Sequence, residues 1–169
     1  MKIFLIAGKA GSGKNEVAIK IKQLLPKTVI TSISKYIKLF ALEYTDWDGR
    51  DFNKPRRFLQ TMGDKIRKVD EYFFINRIKE DLKIYSLDYN NVIISDIRLI
   101  KEIEEFKKDS NNEIITIKVI SSKSKRNLTK EEQNHITETE LDNYNKFDYI
   151  IENNEELDNK LKEILKGMK

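Results

Sequence analysis

The chain has 169 residues, and its 32 Lys and Arg against 28 Asp and Glu leave a formal net charge of only +4. That length suits one domain with a sizeable core, and so mild a charge gives no argument for nucleic acid; the slight Lys and Arg excess suits an anionic small molecule or equally a coding bias towards Lys, Asn and Ile. The absence of cysteine excludes disulfides, Cys-based metal sites and thiol catalysis, and no apolar run is long enough to span a bilayer, so a soluble cytoplasmic protein is predicted.

The apolar run Ile3-Phe4-Leu5-Ile6-Ala7 reads as a core strand and passes straight into Gly8-Lys9-Ala10-Gly11-Ser12-Gly13-Lys14. Val17, Ala18 and Ile21 then open a helix that runs to about Leu25 and stops at Pro26. Strand, glycine turn and helix form the setting of a phosphate-binding P-loop. Glycines bring backbone N–H groups close to phosphate, the helix start adds a positive dipole end, and Lys14 reaches the outer phosphates. The bland alternative is a glycine turn that merely packs a helix on a sheet. Such a loop usually closes with Ser or Thr, whose hydroxyl contacts magnesium, but Asn15 and Glu16 follow the lysine here.

A second strand, Thr28 to Thr31, leads to Ile33, Ile37, Phe40, Ala41 and Tyr44 at helical spacing, with Lys38 off that stripe. The segment 45–51 is a polar loop whose lone Trp47 is a lid-like aromatic or, the favoured reading, a packing anchor. Residues 54 to 69 form a helix with Phe58, Leu59, Met62, Ile66 and Val69 on its apolar side. Arg57, Gln60, Asp64 and Arg67 fall on the other side, as an anion-gripping row or as an ordinary solvated face.

A further helix from Asp70 to about Leu87 places Phe73, Phe74, Ile78 and Leu82 inward, and the strand Asn91 to Ser95 ends in Asp96. An aspartate there is the natural companion of Lys14 around magnesium, or else a cap for the helix carrying Leu99, Ile103 and Phe106. Arg98 sits at the carboxyl edge, where open α/β sheets place ligands. After the strand Glu113 to Ile120, the segment 121–130 is short of apolar residues and rich in Lys and Arg. It is a basic lid, in which Arg126 reaches over bound phosphates, or a plain surface loop. His135 is the sole histidine, which argues against a metal site. Phe147 to Ile151 forms the fifth strand, and Leu157, Leu161, Ile164 and Leu165 mark the core side of the last helix.

Five strands alternating with about seven helices predict an α/β fold, a parallel sheet with helices on both faces. A single domain over residues 1–169 is expected, with helical excursions near 32–88 and 121–145 where an acceptor-binding segment and a lid would be built.

Four ordered blocks carry a resemblance: residues 8–14, Arg57 to Gly63 with Arg67, Ser95-Asp96-Ile97-Arg98 with Glu102, and His135-Ile136-Thr137-Glu138. Together they resemble the phage-type deoxynucleoside monophosphate kinases, and animal phosphomevalonate kinase looks similar over the same blocks. The resemblance implies a P-loop kinase fold and ATP-dependent transfer of a phosphoryl group to a small phosphorylated acceptor, with no nucleic-acid or membrane partner and with monomer and homodimer both open. It implies that Gly8, Lys9, Ala10, Gly11, Ser12, Gly13 and Lys14 bind the ATP phosphates, and the neighbouring Asn15 and Glu16 and Arg126 of the basic segment complete the expected nucleotide-binding set. By the same resemblance Lys38, Arg57, Gln60 and Arg67 bind the acceptor, and Asp96 and Arg98 act with Lys14 between them. Relatives carry an acidic residue and then Thr after the lysine, so Mg2+ would be held by Asn15 and Asp96 in a changed arrangement. A nucleoside monophosphate is the leading acceptor. Another small-molecule phosphate, such as phosphomevalonate or dephospho-coenzyme A, and a nucleotide-binding module without turnover are the alternatives.

Overall fold

Five short segments rich in Ile, Val and Thr pair through their backbones into one parallel sheet, as β-branched side chains on a two-sided buried surface favour. The computed structural model describes residues 1–121 and 128–167. Its strands are β1 (Lys2–Ala7), β2 (Thr28–Thr31), β3 (Asn91–Ile97), β4 (Glu113–Ile120) and β5 (Tyr149–Glu152), in the order β2-β3-β1-β4-β5. The helices are α1 (Lys14–Leu24), α2 (Lys35–Tyr44), α3 (Arg56–Val69), α4 (Phe73–Tyr85), α5 (Ile100–Lys107), α6 (Lys130–Asn134), α7 (Ile136–Thr139) and α8 (Leu157–Lys166). The described residues thus hold eight helices where about seven were expected, because His135 adopts an extended conformation that separates α6 from α7.

Alternation along β1 sorts the core into two layers. Ile3 and Leu5 join Ile37, Phe74, Ile78, Ile103 and Phe106 on the face covered by α2, α4 and α5. Phe4 and Ile6 join Val17, Ile21, Leu157 and Leu161 on the face covered by α1 and α8. This is the expected sheet with helices on both faces. Among the described residues no helix is long and apolar enough to cross a membrane.

The pairing of β1 with β3 is interrupted once. Leu5 pairs with Ile94, but Ala7 pairs with Ile97, so β3 carries one extra residue around Ser95 and Asp96. Ile94 and Ile97 therefore lie in the same core layer although three residues apart. Three side chains expected in the core are exposed: Phe40, Tyr44 and Val69. Phe40 and Tyr44 instead touch each other, with ring centroids 4.7 Å apart, and Phe40 stacks on Phe58. Val69 is the last residue of α3 and has turned out of the packed layer. Trp47 is buried, and its indole N–H donates to the Arg50 carbonyl at 2.8 Å, as a packing anchor would.

Candidate active site

The loop from Gly8 to Gly13 joins the end of β1 to the start of α1, so it lies at the positive end of the helix dipole. Gly13 has a φ of 90°, and a side chain there would collide with the Asn153 amide, 1.9 Å from an ideal Cβ. The Lys14 ammonium is folded over the loop and donates to the carbonyls of Gly8 at 2.8 Å and Lys9 at 2.7 Å. The buried Ser12 hydroxyl has no hydrogen-bond partner among the described residues. A helix start, a tethered lysine and a buried hydroxyl without a partner are a donor set that fits phosphate oxygens.

An anion of the protein itself already lies on this loop. Glu138, in α7, accepts from the Ala10 N–H at 2.8 Å through one oxygen and pairs with the Arg98 guanidinium at 2.7 Å through the other. Arg98 also donates to the Thr137 carbonyl at 3.3 Å, and Lys9 pairs with Asp142 at 2.8 Å. The segment around Thr137 and Glu138 is therefore seated on the glycine loop.

A cavity of about 500 Å³ opens beside the loop at the carboxyl ends of the strands. It is lined by Ala10, Gly11, Gly13, Lys14 and Asn15 from the loop and the start of α1, by Lys38 from α2 and by Arg56, Gln60 and Arg67 from α3. Asp96 and Arg98 reach it from the end of β3. Gly8, Lys9 and Ser12 lie instead on a second cavity of about 330 Å³ behind the loop. Glu16 accepts from the Asn153 amide at 3.0 Å. Arg126 lies outside the described residues.

Arg57 does not join the others. It is exposed, and Arg56 takes the cavity position. At about 100° per residue, Arg56, Gln60 and Arg67 lie within about 40° of one another, whereas Arg57 points about 100° past Arg56. Packing of Leu59, Met62 and Ile66 against the core sets that rotation. Gly63 lets α3 sit close, since a Cβ there would lie 3.1 Å from the Arg67 guanidinium and 3.4 Å from Ile37. Asp64 accepts from Arg67 at 3.2 Å and from His135 at 2.9 Å, linking α3 to the α6–α7 segment.

Asp96 caps a different helix from the one expected. Its carboxylate accepts from the Ile33 N–H at 2.6 Å, from the Ser34 N–H at 3.3 Å and from the Ser34 hydroxyl, and Lys38 pairs with it at 3.3 Å. Burial alone would raise its pKa, but the Lys38 charge and the Ser34 and Ile33 donors outweigh burial and hold it below the ordinary carboxylate value. These bonds commit Asp96 to the turn before α2 and leave the Asn15 amide as the less encumbered of the two expected metal donors. Among the described residues no group of three or more His, Asp or Glu converges as a metal cage. Asn15 and Asp96 both line the cavity and would be the protein's donors to a magnesium ion, whose remaining ligands would be phosphate and water oxygens.

Glu102 behaves oppositely. It is 2% exposed and accepts from the N–H groups of Arg98 at 2.7 Å and Leu99 at 3.0 Å. Burial, assisted by the nearby Asp96 charge, pushes it up to about 7 despite these donors and Arg67. Its folded value lies above the ordinary carboxylate value of 4.5, so the stabilisation is complete below that pH and is lost as pH rises through about 7. Glu102→Gln keeps an acceptor for both N–H groups and should remove this decline, worth about 3 kcal/mol between pH 5 and 8. Urea titrations across that range test it; parallel pH curves for variant and wild type would refute it.

Lys54, Arg56, Glu102 and Glu138 also line the cavity and were assigned no role from sequence. Glu102 and Glu138 stood inside the quoted blocks. Lys54 and Arg56 flank Pro55, which precedes the first turn of α3.

The family model for deoxynucleotide monophosphate kinase matches residues 54–164, about two thirds of the chain. The match begins at Lys54, so it takes in α3, the end of β3 and the His135–Glu138 block while the glycine loop lies before it. No curated protein matches the chain by sequence. Among solved structures the chain is similar to TT1252 from Thermus thermophilus, with a TM-score of 0.55 over 99% of this chain and 95% of that one. At 18% identity that likeness concerns the fold alone.

Proposed function

Since the chain belongs to the deoxynucleotide monophosphate kinase family, we propose that it transfers the γ-phosphoryl group of ATP to a (deoxy)nucleoside monophosphate. The observation that carries this reading is that one cavity is lined both by the glycine loop with Lys14 and by Lys38, Arg56, Gln60 and Arg67. Two sets of cationic groups from separate elements suit two phosphate-bearing substrates, whereas a nucleotide hydrolase needs only the first.

Phosphoryl transfer is catalysed mainly by alignment and charge neutralisation, so the side chains need no covalent chemistry. Lys14 would exchange the carbonyls of Gly8 and Lys9 for outer phosphate oxygens. Arg98, two residues beyond Asp96, would bring its guanidinium from Glu138 toward the transferred group. Asp96 would hold Lys38 and the start of α2 in place from the acceptor side. Gln60 and Arg67 would orient the acceptor's phosphate. Magnesium, carried on the nucleotide's phosphates, would supply further charge neutralisation between the two substrates.

Coupled ADP-release assays over a panel of nucleoside monophosphates test the reading, and its failure would be a panel in which no acceptor exceeds ATP hydrolysis alone. With the best acceptor, Arg56→Ala should raise KM about tenfold or more, the usual scale for a lost charge-assisted phosphate contact. Arg57→Ala should stay within about twofold of wild type, as exposed surface substitutions do. The reverse order would return the acceptor row to Arg57.

A further inference from the structure

Three cations crowd one corner of the cavity, and two of them have an acidic partner. Lys38, from α2, pairs with Asp96 at 3.3 Å and donates to the Ser32 hydroxyl at 3.1 Å. Arg56, from the first turn of α3, pairs with Asp51 at 3.6 Å. Lys54 sits between the 45–53 loop and α3, and among the described residues its ammonium makes neither a hydrogen bond nor an ion pair. Asp51 and Asp96 act on it only through space, and the remaining charged groups on this cavity are Lys14, Arg67, Arg98, Glu102, Glu132 and Glu138.

Partial burial of an unpaired ammonium beside two like charges opposes the folded state, and a ligand that brings negative charge relieves that cost. Burial comes first, then the charges of Lys38 and Arg56, in lowering the Lys54 pKa to about 8. A ligand with one negative charge can satisfy Lys54 only by sharing it with Arg56 and Lys38. A phosphate monoester, with about two negative charges at neutral pH, matches the corner better.

We propose that Lys54 is a specificity-determining residue that makes this site select the dianionic end of a phosphate monoester over singly charged or uncharged analogues. The inference rests on the kinase reading for the identity of the ligand, and on the corner of Lys38, Lys54 and Arg56 for its charge. Proline at 55 fixes the backbone on one side of Lys54 and the buried Trp47 holds the loop on the other, so the ammonium is presented from a constrained segment.

Calorimetric titration of wild type, Lys54→Met and Lys54→Arg with a nucleoside monophosphate and with its phosphate monomethyl ester tests the proposal. Wild type should prefer the monophosphate by about tenfold or more, the scale of one charge-assisted contact. Lys54→Met should lose about tenfold to a hundredfold for the monophosphate and little for the ester, and Lys54→Arg should restore the preference. In turnover, Lys54→Met should raise acceptor KM and leave kcat within about threefold. Equal weakening of both ligands, or loss of kcat at unchanged KM, would overturn the proposal. If no monophosphate binds wild type, the kinase reading fails separately. The corner is then read with inorganic phosphate: protection of wild type but not of Lys54→Met against thermal unfolding supports it, and equal or absent protection of both overturns it.

Discussion

Lys14→Met is expected to lower phosphoryl-transfer turnover by about 10²- to 10³-fold, the range for removing one preorganised charge from a developing transition state. The side chain is nearly buried and its ammonium already lies inside the loop, on the carbonyls of Gly8 and Lys9. It is thus held in place before any substrate arrives, which makes its contribution electrostatic rather than a matter of recruitment. Methionine fills a similar volume without the charge. The loop carbonyls lose an internal donor, but the loop is open to water at the cavity, so stability should change by only about 1 kcal/mol. Steady-state ADP release at saturating substrates, read beside a urea curve, separates the two effects. Turnover within tenfold of wild type would remove Lys14 from the catalytic machinery.

Asp96→Ala is the substitution expected to cost most in stability, about 3 kcal/mol or more. It strips partners from two backbone N–H groups, the Ser34 hydroxyl and the Lys38 ammonium at once. Removing one member of a buried charged network typically costs about 3–5 kcal/mol because the other members stay behind, desolvated. Asp96→Asn keeps an acceptor and should fall between the two. The depressed pKa of Asp96 means that its stabilisation is present above its unfolded value of 3.8 and disappears only as pH falls through the lower folded value. The acid limb of the wild-type stability curve should therefore be shallower in Asp96→Asn. Equal urea midpoints for wild type and Asp96→Ala would show that the turn before α2 holds without the carboxylate.

The architecture was legible because each strand is a compact apolar run and each helix between strands repeats its apolar residues at helical spacing. Alternation even separates Ile3 and Leu5 from Phe4 and Ile6, which fill opposite layers. The glycine loop was legible because its motif requires a strand before and a helix after it. What stayed hidden lives in the rotation of elements and in contacts between distant segments. Periodicity locates the apolar side of α3 only coarsely, and the choice between Arg56 and Arg57 turned on how Gly63 lets that helix settle against Ile37. Glu138 meets Ala10 across 128 positions of sequence, and no local pattern announces such a pairing. Asp96 offered two readings, ligand neighbour and helix cap. It lines the cavity and also caps, but the helix it serves begins 61 positions before it, at Lys35. Lys54 had nothing to mark it, since a lysine ahead of a proline is ordinary until the fold surrounds it with other cations.

The extra residue in β3 changes how much chemistry that strand can deliver. A regular strand offers every second side chain to a given side, so the four positions 95–98 would supply two. With the irregularity, Ser95, Asp96 and Arg98 all reach the cavity while Ile94 and Ile97 both stay in the core. The strand behaves like a text read with a shifted frame, in which two successive polar letters fall on the same page. Shortening β3 by one residue would restore the regular frame and send either a polar group into the core or an isoleucine into the cavity. Length at 94–97 is thus as tightly constrained as the identity of the residues there, whereas the exposed turn between α5 and β4 has no such accounting to keep.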